Sequence, residues 1–381
     1  MATFCIFSTF YLPNYSGVEK YTFNLASALF RAGQSVIIVT SALNDDVGIV
    51  DEAGITVMRI PSHVLVDGRF AAPRRGKKLD ELMRWLDEQP IDFVLVNQRF
   101  YPTSIFGLRY AEKRGVPAIT LDHGSAHLTM SNPVMDFFVE AYEHIITSVG
   151  KRHPSRYYAV SEKSAEWLGH FGIDASGVLH NAIDADDFVA KSSGRDFREK
   201  LGIPGDSLVV VYTGRLLEMK GVMIACEAVR EVAQDGADIH LVLAGDGPLR
   251  KRIEQMEDAR VHLLGRLSVE DISALLSQSD VFCLPTESEG FSTSMLEAAA
   301  CGLGIVVTDT GGARELIPDE SHGIVIPDNN LDTVVIALRR FLEDRNYLSE
   351  CGRNVSSRAR EVFNWNRTAS DLIDAFERYA G

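Results

Sequence analysis

The chain contains the stretch Val281-Phe-Cys-Leu-Pro-Thr-Glu-Ser-Glu-Gly-Phe-Ser-Thr-Ser-Met-Leu-Glu-Ala-Ala-Ala-Cys-Gly302, which has the pattern of a buried strand, a polar loop and a helix. Its first four residues are apolar, as in a strand that is covered on both faces. Ser292 or Thr293 can cap the helix that follows, and Gly302 can end it. The stretch therefore predicts one strand-loop-helix unit of a parallel sheet.

The same alternation of short apolar runs and helical patterns continues along the chain in both directions. In the first half it predicts helices at 18–31 and 78–88, and strands at 3–8, 35–40, 56–60, 93–97, 118–121 and 157–160. After a polar stretch at 190–200 it predicts strands at 208–212, 239–243, 261–263, 281–284 and 305–308. This pattern predicts an α/β protein with two Rossmann-like, doubly wound domains.

We place the first domain at residues 1–189 and the second at 190–360. A final amphipathic helix lies in 361–381, and packing back on the first domain is one of the placements that the sequence leaves open. One long sheet with an inserted loop is an alternative, although single cores rarely grow so large. Two facing domains would leave a cleft between the carboxyl ends of their strands, where such sheets bind ligands.

Composition limits the classes of partner. The 381 residues are 46% hydrophobic and 24% charged, as in soluble globular proteins, and the formal charge of −15 argues against a nucleic-acid partner. Five scattered cysteines without C-x-x-C spacing indicate reduced thiols. We find no pattern of a signal peptide and no apolar run of membrane-spanning length, so we expect a cytoplasmic chain.

The segment Gly214-Arg-Leu-Leu-Glu-Met-Lys-Gly221 follows a predicted strand and opens a helix. Glycines let a backbone approach a ligand, and Arg215, Lys220 and a helix N-terminus offer a diphosphate several charge-assisted hydrogen bonds. A solvated turn with incidental charges explains the composition equally well. The segment Gly245-Asp-Gly-Pro248 predicts a tight turn and is a weak binding signal by itself.

Two glutamates in the opening stretch are candidates for sugar binding. Glu289 lies in the loop, and Glu297 lies eight residues on, inside the helix. The amides of residues 293–295 would face the same space as Glu289. Amides suit phosphates and carboxylates suit sugar hydroxyls, so this wall fits a sugar nucleotide. Taken singly, Glu289 could be a solvated loop acid and Glu297 an exposed helix glutamate.

Three residues of the first half are possible ligand contacts, and His123 is expected on the rim of the cleft. His123 follows a predicted strand, although a lone histidine is more often structural. His127, four residues on, suggests a metal site, but no third and fourth ligand with plausible spacing follow, so we expect none. Gly17 opens the first helix and could let backbone amides approach a charged ligand.

Together these segments resemble the retaining glycosyltransferases of family 4, which have the GT-B fold of two facing Rossmann-like domains. The resemblance covers most of the chain. It consists of three motifs in the family's order and approximate spacing: Gly214-Arg-Leu-x-x-x-Lys-Gly221, Gly245-Asp-Gly-Pro248 and the Glu289 to Glu297 pair. Two positions depart from the family's pattern, which usually has Gly-Gly at Ser16-Gly17 and Gly-x-Pro at Gly302-Leu-Gly304.

The resemblance implies a role for each candidate residue. Arg215 and Lys220 would hold the diphosphate of the donor and offset charge on the leaving group, so that neither a metal nor a cofactor is needed. Glu289 would bind the hydroxyls of the transferred sugar, Glu297 would bind the ribose, and His123 would contact the donor sugar near the reacting carbon. Further donor-binding residues are expected at Gly17, Gly214, Gly290, Phe291, Ser292 and Thr293.

The resemblance also implies a reaction, in which a hexose or related sugar passes from a UDP- or GDP-type nucleotide sugar to a hydroxyl acceptor. Retention implies that the acceptor attacks on the face that the nucleoside diphosphate leaves, with the leaving phosphate as the base. The first domain would bind the acceptor and the second the donor. The expected acceptor is a saccharide, a lipid-linked saccharide or a glycolipid of cell-envelope or capsule synthesis, at the inner face of the membrane.

Two segments of the first half bear on a membrane-borne acceptor. Residues 69–78 hold five cations, which suits an anionic leaflet and a solvated loop equally well. Residues 133–149 mix apolar residues with acids, and their helical spacing predicts a helix that faces the core.

Other classes of function remain open at this point. A nucleotide-sugar epimerase or hydrolase could use the same scaffold, and so could a sugar-nucleotide binder without activity. A nicotinamide-dependent dehydrogenase is disfavoured, because loop 9–17 lacks the glycine fingerprint.

Overall fold

The computed structural model of the chain describes residues 1–13, 17–44, 46–65, 68, 70–129 and 133–380. They form two compact units, the first made of Met1–Asn181 and Trp365–Gly381 and the second of Ala182–Asn364. The boundary thus falls at 181 and not at 189. Residues 182–189 join the second unit because Ile183 N donates to Phe363 O at 2.9 Å and Asp186 pairs with Arg360 at 2.8 Å.

The described part of the first unit contains ten strands and five α-helices before residue 182, with a 3₁₀ turn at Gly169–Phe171. The strands are β1 (Thr3–Phe7), β2 (Ser35–Ser41), β3 (Gly48–Glu52), β4 (Ile55–Ile60), β5 (Ser62–Leu65), β6 (Phe70–Pro73), β7 (Phe93–Asn97), β8 (Ala118–Asp122), β9 (Arg156–Ala159) and β10 (Gly177–Val178). The helices are α1 (Gly17–Arg31), α2 (Lys77–Asp87), α3 (Pro102–Arg114), α4 (Pro133–Gly150) and α5 (Glu162–Leu168).

Eight strands of the first unit form one sheet in the order β10-β9-β8-β7-β1-β2-β4-β3. Strand β3 runs antiparallel to β4, and the other neighbours in this sheet pair in parallel. Strands β1 and β8 are buried along their whole length, as their apolar sequences predict. Strand β3 was not predicted, because its apolar run is only Ile49 and Val50, and residues 49–51 are exposed at the sheet edge.

The second unit contains a six-stranded parallel sheet. Its strands are β11 (Leu208–Thr213), β12 (Ile239–Ala244), β13 (Val261–Gly265), β14 (Val281–Leu284), β15 (Gly304–Thr308) and β16 (Ile324–Ile326), in the order β13-β12-β11-β14-β15-β16. The three-residue edge strand β16 is the one that the sequence analysis missed. A 3₁₀ turn spans Glu218–Lys220. The helices are α6 (Ala185–Ala190), α7 (Phe197–Leu201), α8 (Val222–Gln234), α9 (Arg250–Glu254), α10 (Val269–Leu276), α11 (Thr293–Ala300), α12 (Ala313–Leu316), α13 (Leu331–Glu343) and α14 (Arg345–Glu361).

The last helix, α15 (Trp365–Ala380), belongs to the first unit. Its Phe376 is fully buried and stacks on Phe93 of β7 with ring centroids 4.8 Å apart. Trp365 meets the ring of Tyr21 in α1 edge-on at 5.1 Å. The helix therefore completes the core of the first unit.

Two further properties follow from the elements. Among the described residues, no helix combines the length and the apolar character that crossing a bilayer requires. All five cysteines are unpaired, and burial raises the pKa of Cys226 and Cys283 to about 12, which keeps these thiols protonated.

Candidate active site

The centre of the second sheet is the point where its strand order reverses. Strands β11 and β14 are adjacent there, with Val210 opposite Val281 in the parallel register. In doubly wound sheets, ligands bind just beyond the carboxyl ends of the two strands that flank such a reversal. The loops at 214–221 and 285–292 leave the sheet at this point, so the two segments that the sequence singled out lie side by side.

Glycines let these loops touch through their backbones. A Cβ on Gly221, which has φ +68°, would collide with Pro285 O, so the loops after β11 and β14 are in contact there. A Cβ on Gly245 would likewise collide with Gly214 O, and Gly214 N donates to Ala244 O at 3.0 Å. The glycines of these motifs are therefore required by close packing of backbone against backbone.

Lys220 and Glu289 meet in this contact. Lys220 Nζ lies 2.6 Å from Glu289 Oε1 and donates to Ser288 O at 2.9 Å. Both side chains are only partly exposed, 20% and 25%. An ammonium group has three donors, and the pair leaves one of them for a further acceptor such as a phosphate oxygen. The cation and the acid that the sequence assigned to diphosphate and sugar are thus adjacent.

Arg215 lies in the same loop as Lys220 and is exposed. Its backbone is fixed, because Tyr212 donates its hydroxyl hydrogen to Arg215 O at 2.8 Å. Within the part of the chain that the structure describes, the guanidinium group makes no hydrogen bond or ion pair, so its donors can reach a bound anion. The sequence analysis missed Tyr212, whose apolar neighbours indicated only a buried strand.

The N-terminus of α11 forms the next part of the site. Ser292 caps the helix, accepting a hydrogen bond from Met295 N at 3.3 Å, so this amide does not face a ligand as the sequence analysis expected. Phe291 is buried, and its ring centroid lies 5.2 Å from that of Phe363. A Cβ on Gly311 would lie 2.5 Å from Gly290 O, so the backbone at Gly290 is closely packed. Thr293 and Glu297 follow on α11, where both are half-buried, and their binding roles stay predictions.

In the first unit, His123 directly follows β8 and is held by buried polar residues. Its Nε2 lies 3.2 Å from Asn97 Oδ1, and Asn97 Nδ2 donates to Thr22 Oγ1 at 2.8 Å. With the amide in this orientation, His123 Nε2 carries the proton and donates it to Asn97. The ring of Tyr21 packs edge-on against the ring of His123, with centroids 4.8 Å apart. Burial lowers the pKa of His123 to about 3, so the ring is neutral near pH 7 and offers an unprotonated Nδ1.

Gly17 begins α1, and a Cβ there would meet no atom within 4 Å. No close packing of the described residues therefore explains this glycine, and its role in donor binding stays a prediction. Ser16, which departs from the family's Gly-Gly pattern, lies outside the described residues, and so does Arg69 of the basic loop.

Helix α4 differs from its prediction as a helix that faces the core. Phe137, Phe138 and Ile145 are 67%, 62% and 66% exposed. The prediction was wrong because apolar spacing on a helix reports an apolar face but not what covers it. Phe70, at the start of β6, meets Tyr142 of α4 at 5.7 Å, so the basic loop begins beside this helix. The cations that the structure describes in that loop are all exposed: Arg74, Arg75, Lys77 and Lys78.

The surroundings of His127 also differ from expectation. No metal site was predicted here, because no third and fourth ligand follow His127 with the spacing of a local metal motif. The structure places Glu140 and His144 of α4 and His170 of the 3₁₀ turn beside His127. Folding therefore brings together residues that are up to 43 positions apart.

Two family models match the chain, and together they span most of it. "Glycosyltransferase Family 4" matches residues 15–187, and "Glycosyl transferases group 1" matches residues 194–358. The chain belongs to glycosyltransferase family 4. The expected family is thereby confirmed, and the chain is a glycosyltransferase.

Curated relatives of this family 4 glycosyltransferase align over most of their length. A human (Homo sapiens) subunit of phosphatidylinositol N-acetylglucosaminyltransferase is 24% identical over 98% of this chain and 75% of that protein. The GPI3 subunit of the same enzyme from Saccharomyces cerevisiae is 27% identical over 82% of this chain and 69% of that protein.

Solved structures confirm the GT-B fold of the family 4 chain. Sucrose-phosphate synthase from Thermosynechococcus elongatus superposes with a TM-score of 0.77 at 18% identity, covering 100% of this chain and 99% of that one. HepE from Anabaena, solved in complex with UDP-glucose, superposes with a TM-score of 0.70 at 18% identity, covering 98% of this chain and 100% of that one.

Proposed function

We propose that this glycosyltransferase moves a hexose or related sugar from a nucleoside-diphosphate sugar to a hydroxyl of a lipid-linked acceptor, with retention of configuration. The observation that carries the proposal is the Lys220–Glu289 pair at the strand-order reversal, together with the exposed Arg215 in the same loop as Lys220. A diphosphate needs cationic donors, and a sugar needs carboxylate acceptors. This arrangement supplies both kinds of group within one contact.

In the proposed reaction, the acceptor oxygen forms a bond to the anomeric carbon while the bond from that carbon to the diphosphate oxygen breaks. The proton of the acceptor hydroxyl passes to an oxygen of the leaving phosphate. Arg215 and Lys220 stabilise the charge that develops on the diphosphate, so this step uses no metal. Glu289 orients the hydroxyls of the sugar, and Glu297 accepts from the ribose of a UDP- or GDP-type donor.

His123 contributes differently from the two cations. Its neutral ring adds no positive charge, so it cannot hold a diphosphate by charge. Its Nε2–H is directed at Asn97, which leaves Nδ1 as an acceptor for a sugar hydroxyl. We therefore assign His123 to positioning the donor sugar.

A lipid-linked acceptor is supported by two observations. The curated relatives are named as transferases that act with phosphatidylinositol. In this chain, α4 exposes apolar residues, and the segment with the exposed cations at 74–78 begins at Phe70, whose ring centroid lies 5.7 Å from that of Tyr142 in α4. Apolar side chains can enter a leaflet, and each cation near an anionic leaflet adds about 1 kcal/mol of attraction. We propose that this surface docks on an anionic phospholipid leaflet at the cytoplasmic side of a membrane.

The reaction is tested by measuring release of nucleoside diphosphate from a panel of UDP- and GDP-sugars, with and without phosphatidylinositol or a lipid-linked saccharide. We expect release that depends on the acceptor. Lys220→Met and Arg215→Ala should each lower turnover by about 10²–10³-fold, which is about 2.7–4 kcal/mol of barrier. Both variants should unfold thermally near the wild-type temperature, because neither side chain belongs to the core.

Arg230→Ala is the matched control, since Arg230 is a cation on α8 of the same unit that pairs with Asp258 at 3.0 Å. It should leave turnover unchanged. Release without any acceptor would support a hydrolase instead, and unchanged turnover in both Lys220→Met and Arg215→Ala would refute the diphosphate assignment.

Membrane docking is tested by co-sedimentation with vesicles of phosphatidylcholine, with and without phosphatidylserine. The double variant Phe137→Ser/Phe138→Ser should bind roughly ten-fold more weakly, because each phenylalanine loses apolar burial. Ile336→Ser is the control, since Ile336 is 65% exposed in the second unit. Binding that ignores anionic lipid, salt and the double variant would exclude this surface.

A further inference from the structure

Four metal-ligating side chains converge in the first unit, and none of them belongs to the candidate donor site. Glu140 and His144 are one turn apart on α4, His127 lies in the loop after β8, and His170 lies in the 3₁₀ turn Gly169–Phe171. One ligand atom from each of the four side chains lies within 4.8 Å of all the others. Three separate segments of the chain thus direct nitrogen or oxygen donors at one point.

Three of the six distances between the ligand atoms match a tetrahedral ion. His127 Nε2 and His170 Nε2 are 3.2 Å apart, and His170 Nε2 and His144 Nε2 are 3.3 Å apart. His127 Nε2 lies 3.4 Å from Glu140 Oε1. Bonds of about 2.0–2.1 Å from Zn²⁺ to nitrogen or oxygen give a tetrahedron with edges of roughly 3.3–3.4 Å. These three separations are edges of such a tetrahedron.

Hydrogen bonds alone do not explain the arrangement of the rings. Each imidazole nitrogen has one in-plane site, which holds either a proton or a lone pair. His170 Nε2 therefore cannot direct a linear hydrogen bond at both His127 and His144, although it lies near both. A cation at the centre would receive the lone pairs of all three Nε2 atoms together.

The surrounding residues hold two of the rings in place. His127 Nδ1 is buried, forms no hydrogen bond among the described residues, and lies 3.5 Å from Glu143 Oε2. Glu143 is itself fixed, because it accepts from Leu128 N at 2.7 Å and pairs with Arg99 at 3.1 Å. A histidine that binds a metal through Nε2 usually donates its Nδ1–H to a carboxylate or carbonyl, and Glu143 is the carboxylate that lies near this nitrogen of His127. Trp167 stacks flat on His170 at 4.7 Å.

We propose that His127, Glu140, His144 and His170 bind one Zn²⁺ ion. Three imidazoles and one carboxylate suit a borderline cation with tetrahedral preference. Four protein ligands close the coordination shell, as in structural zinc sites, so the ion would hold α4 and the 3₁₀ turn to the loop that also carries His123. The proposal does not depend on the proposed reaction.

The test is zinc binding by the full-length, untagged chain after treatment with EDTA, measured by competition with a chromophoric chelator. We expect one Zn²⁺ per chain. Co²⁺ in the same site should give the visible absorption bands of tetrahedral coordination. His170→Ala and His144→Ala should each weaken zinc affinity more than the roughly 10–100-fold that loss of a supporting hydrogen bond costs. Zinc should also raise the thermal unfolding temperature of the wild-type chain and not that of these variants.

His63→Ala is the matched control, since His63 is exposed in β5 of the same unit and lies outside the cluster. It should bind zinc like the wild type. His170 is exposed, so alanine there opens no core cavity, and the metal-free variant should unfold like the metal-free wild type. Binding of less than one equivalent by the wild type, or equal zinc affinity in the wild type and His170→Ala, would overturn the proposal.

Discussion

In the second unit, the loops after β11, β12 and β14 touch one another through glycine backbone, whereas in the first unit the ends of β7 and β8 are joined by side chains. Gly221 packs on Pro285, and Gly245 packs on Gly214. The charged side chains of these loops are then the groups that can contact a ligand. By contrast, His123 is fixed through Asn97 and the ring of Tyr21.

Because of this difference, the two sites should be sensitive to different substitutions. Where loops pack backbone against backbone, as in the second unit, the charged side chains depend on that close contact. A single added methyl group would therefore displace them. Where side chains fix the site, as around His123 in the first unit, the arrangement depends on buried polar contacts. Loss of a hydrogen bond or a change in protonation would therefore destabilise it. Four predictions test this contrast, in order of decreasing effect.

The first prediction compares two glycines of the second unit with similar left-handed backbones. Gly221 has φ +68° and Gly202 has φ +64°, but a Cβ would collide with backbone only at Gly221. Gly202→Ala should cost about 1–2 kcal/mol through backbone strain, and Gly221→Ala about 1–3 kcal/mol more through the collision. Denaturant unfolding of both variants measures these costs. Equal losses would show that close approach does not shape this surface.

The second prediction concerns pH and His123. Its pKa is lowered to about 3 in the folded chain, below the ordinary value of 6.5, so the unfolded chain takes up a proton that the folded chain does not. Stability should therefore be unaffected above about pH 6.5 and fall as the pH decreases from there, by on the order of 2 kcal/mol near pH 5. His123→Gln should remove this part of the loss when unfolding is measured with EDTA present throughout.

His153→Gln is the control for that measurement, because His153 pairs with Glu112 outside the His123 contacts. It should keep the wild-type loss of stability at acid pH. An identical pH dependence in the wild type and His123→Gln would contradict a neutral ring in the folded chain.

The third prediction compares two buried tyrosine hydroxyls. Tyr21 donates to Leu179 O at 3.1 Å in the first unit, and Tyr212 donates to Arg215 O at 2.8 Å in the second. Tyr21→Phe leaves a buried acceptor unpaired and should cost about 1–3 kcal/mol. Tyr212→Phe removes a partly buried bond and should cost about 0.5–1.5 kcal/mol. Only Tyr212→Phe should raise the KM for the nucleotide sugar, and a raised KM in Tyr21→Phe alone would reverse this assignment.

The fourth prediction uses two N-caps of eight-residue helices in the second unit. Ser292 caps α11 and Ser268 caps α10. Each serine-to-alanine change should cost about 1 kcal/mol of stability. Calorimetric binding of UDP or GDP should weaken in Ser292→Ala and stay unchanged in Ser268→Ala, because only α11 begins at the candidate site. Equal nucleotide affinity in the two variants would remove the α11 N-terminus from the site.

The same contrast explains what could be predicted from the sequence. Most strands of the two large sheets and the loop residues Lys220 and Glu289 follow from local patterns, because a buried strand and the loop after it are adjacent in the chain. The GT-B fold followed from the family resemblance of three such loops taken together. The partners of His123 and His127 could not be found in this way. Asn97 is 26 residues from His123 and His170 is 43 residues from His127, and only the register of the strands and the packing of α4 bring them together. The exposed face of α4 was missed because apolar spacing does not tell what covers a face.

The placement of α15 has a consequence for synthesis of the protein. The second unit is one continuous segment, Ala182–Asn364, and it can complete its core as soon as that segment has left the ribosome. The first unit begins earlier but needs Phe376 to cover Phe4 and Phe93. We therefore expect the second unit of the nascent chain to fold first. The sheet of the first unit keeps an exposed apolar surface until α15 has been synthesised.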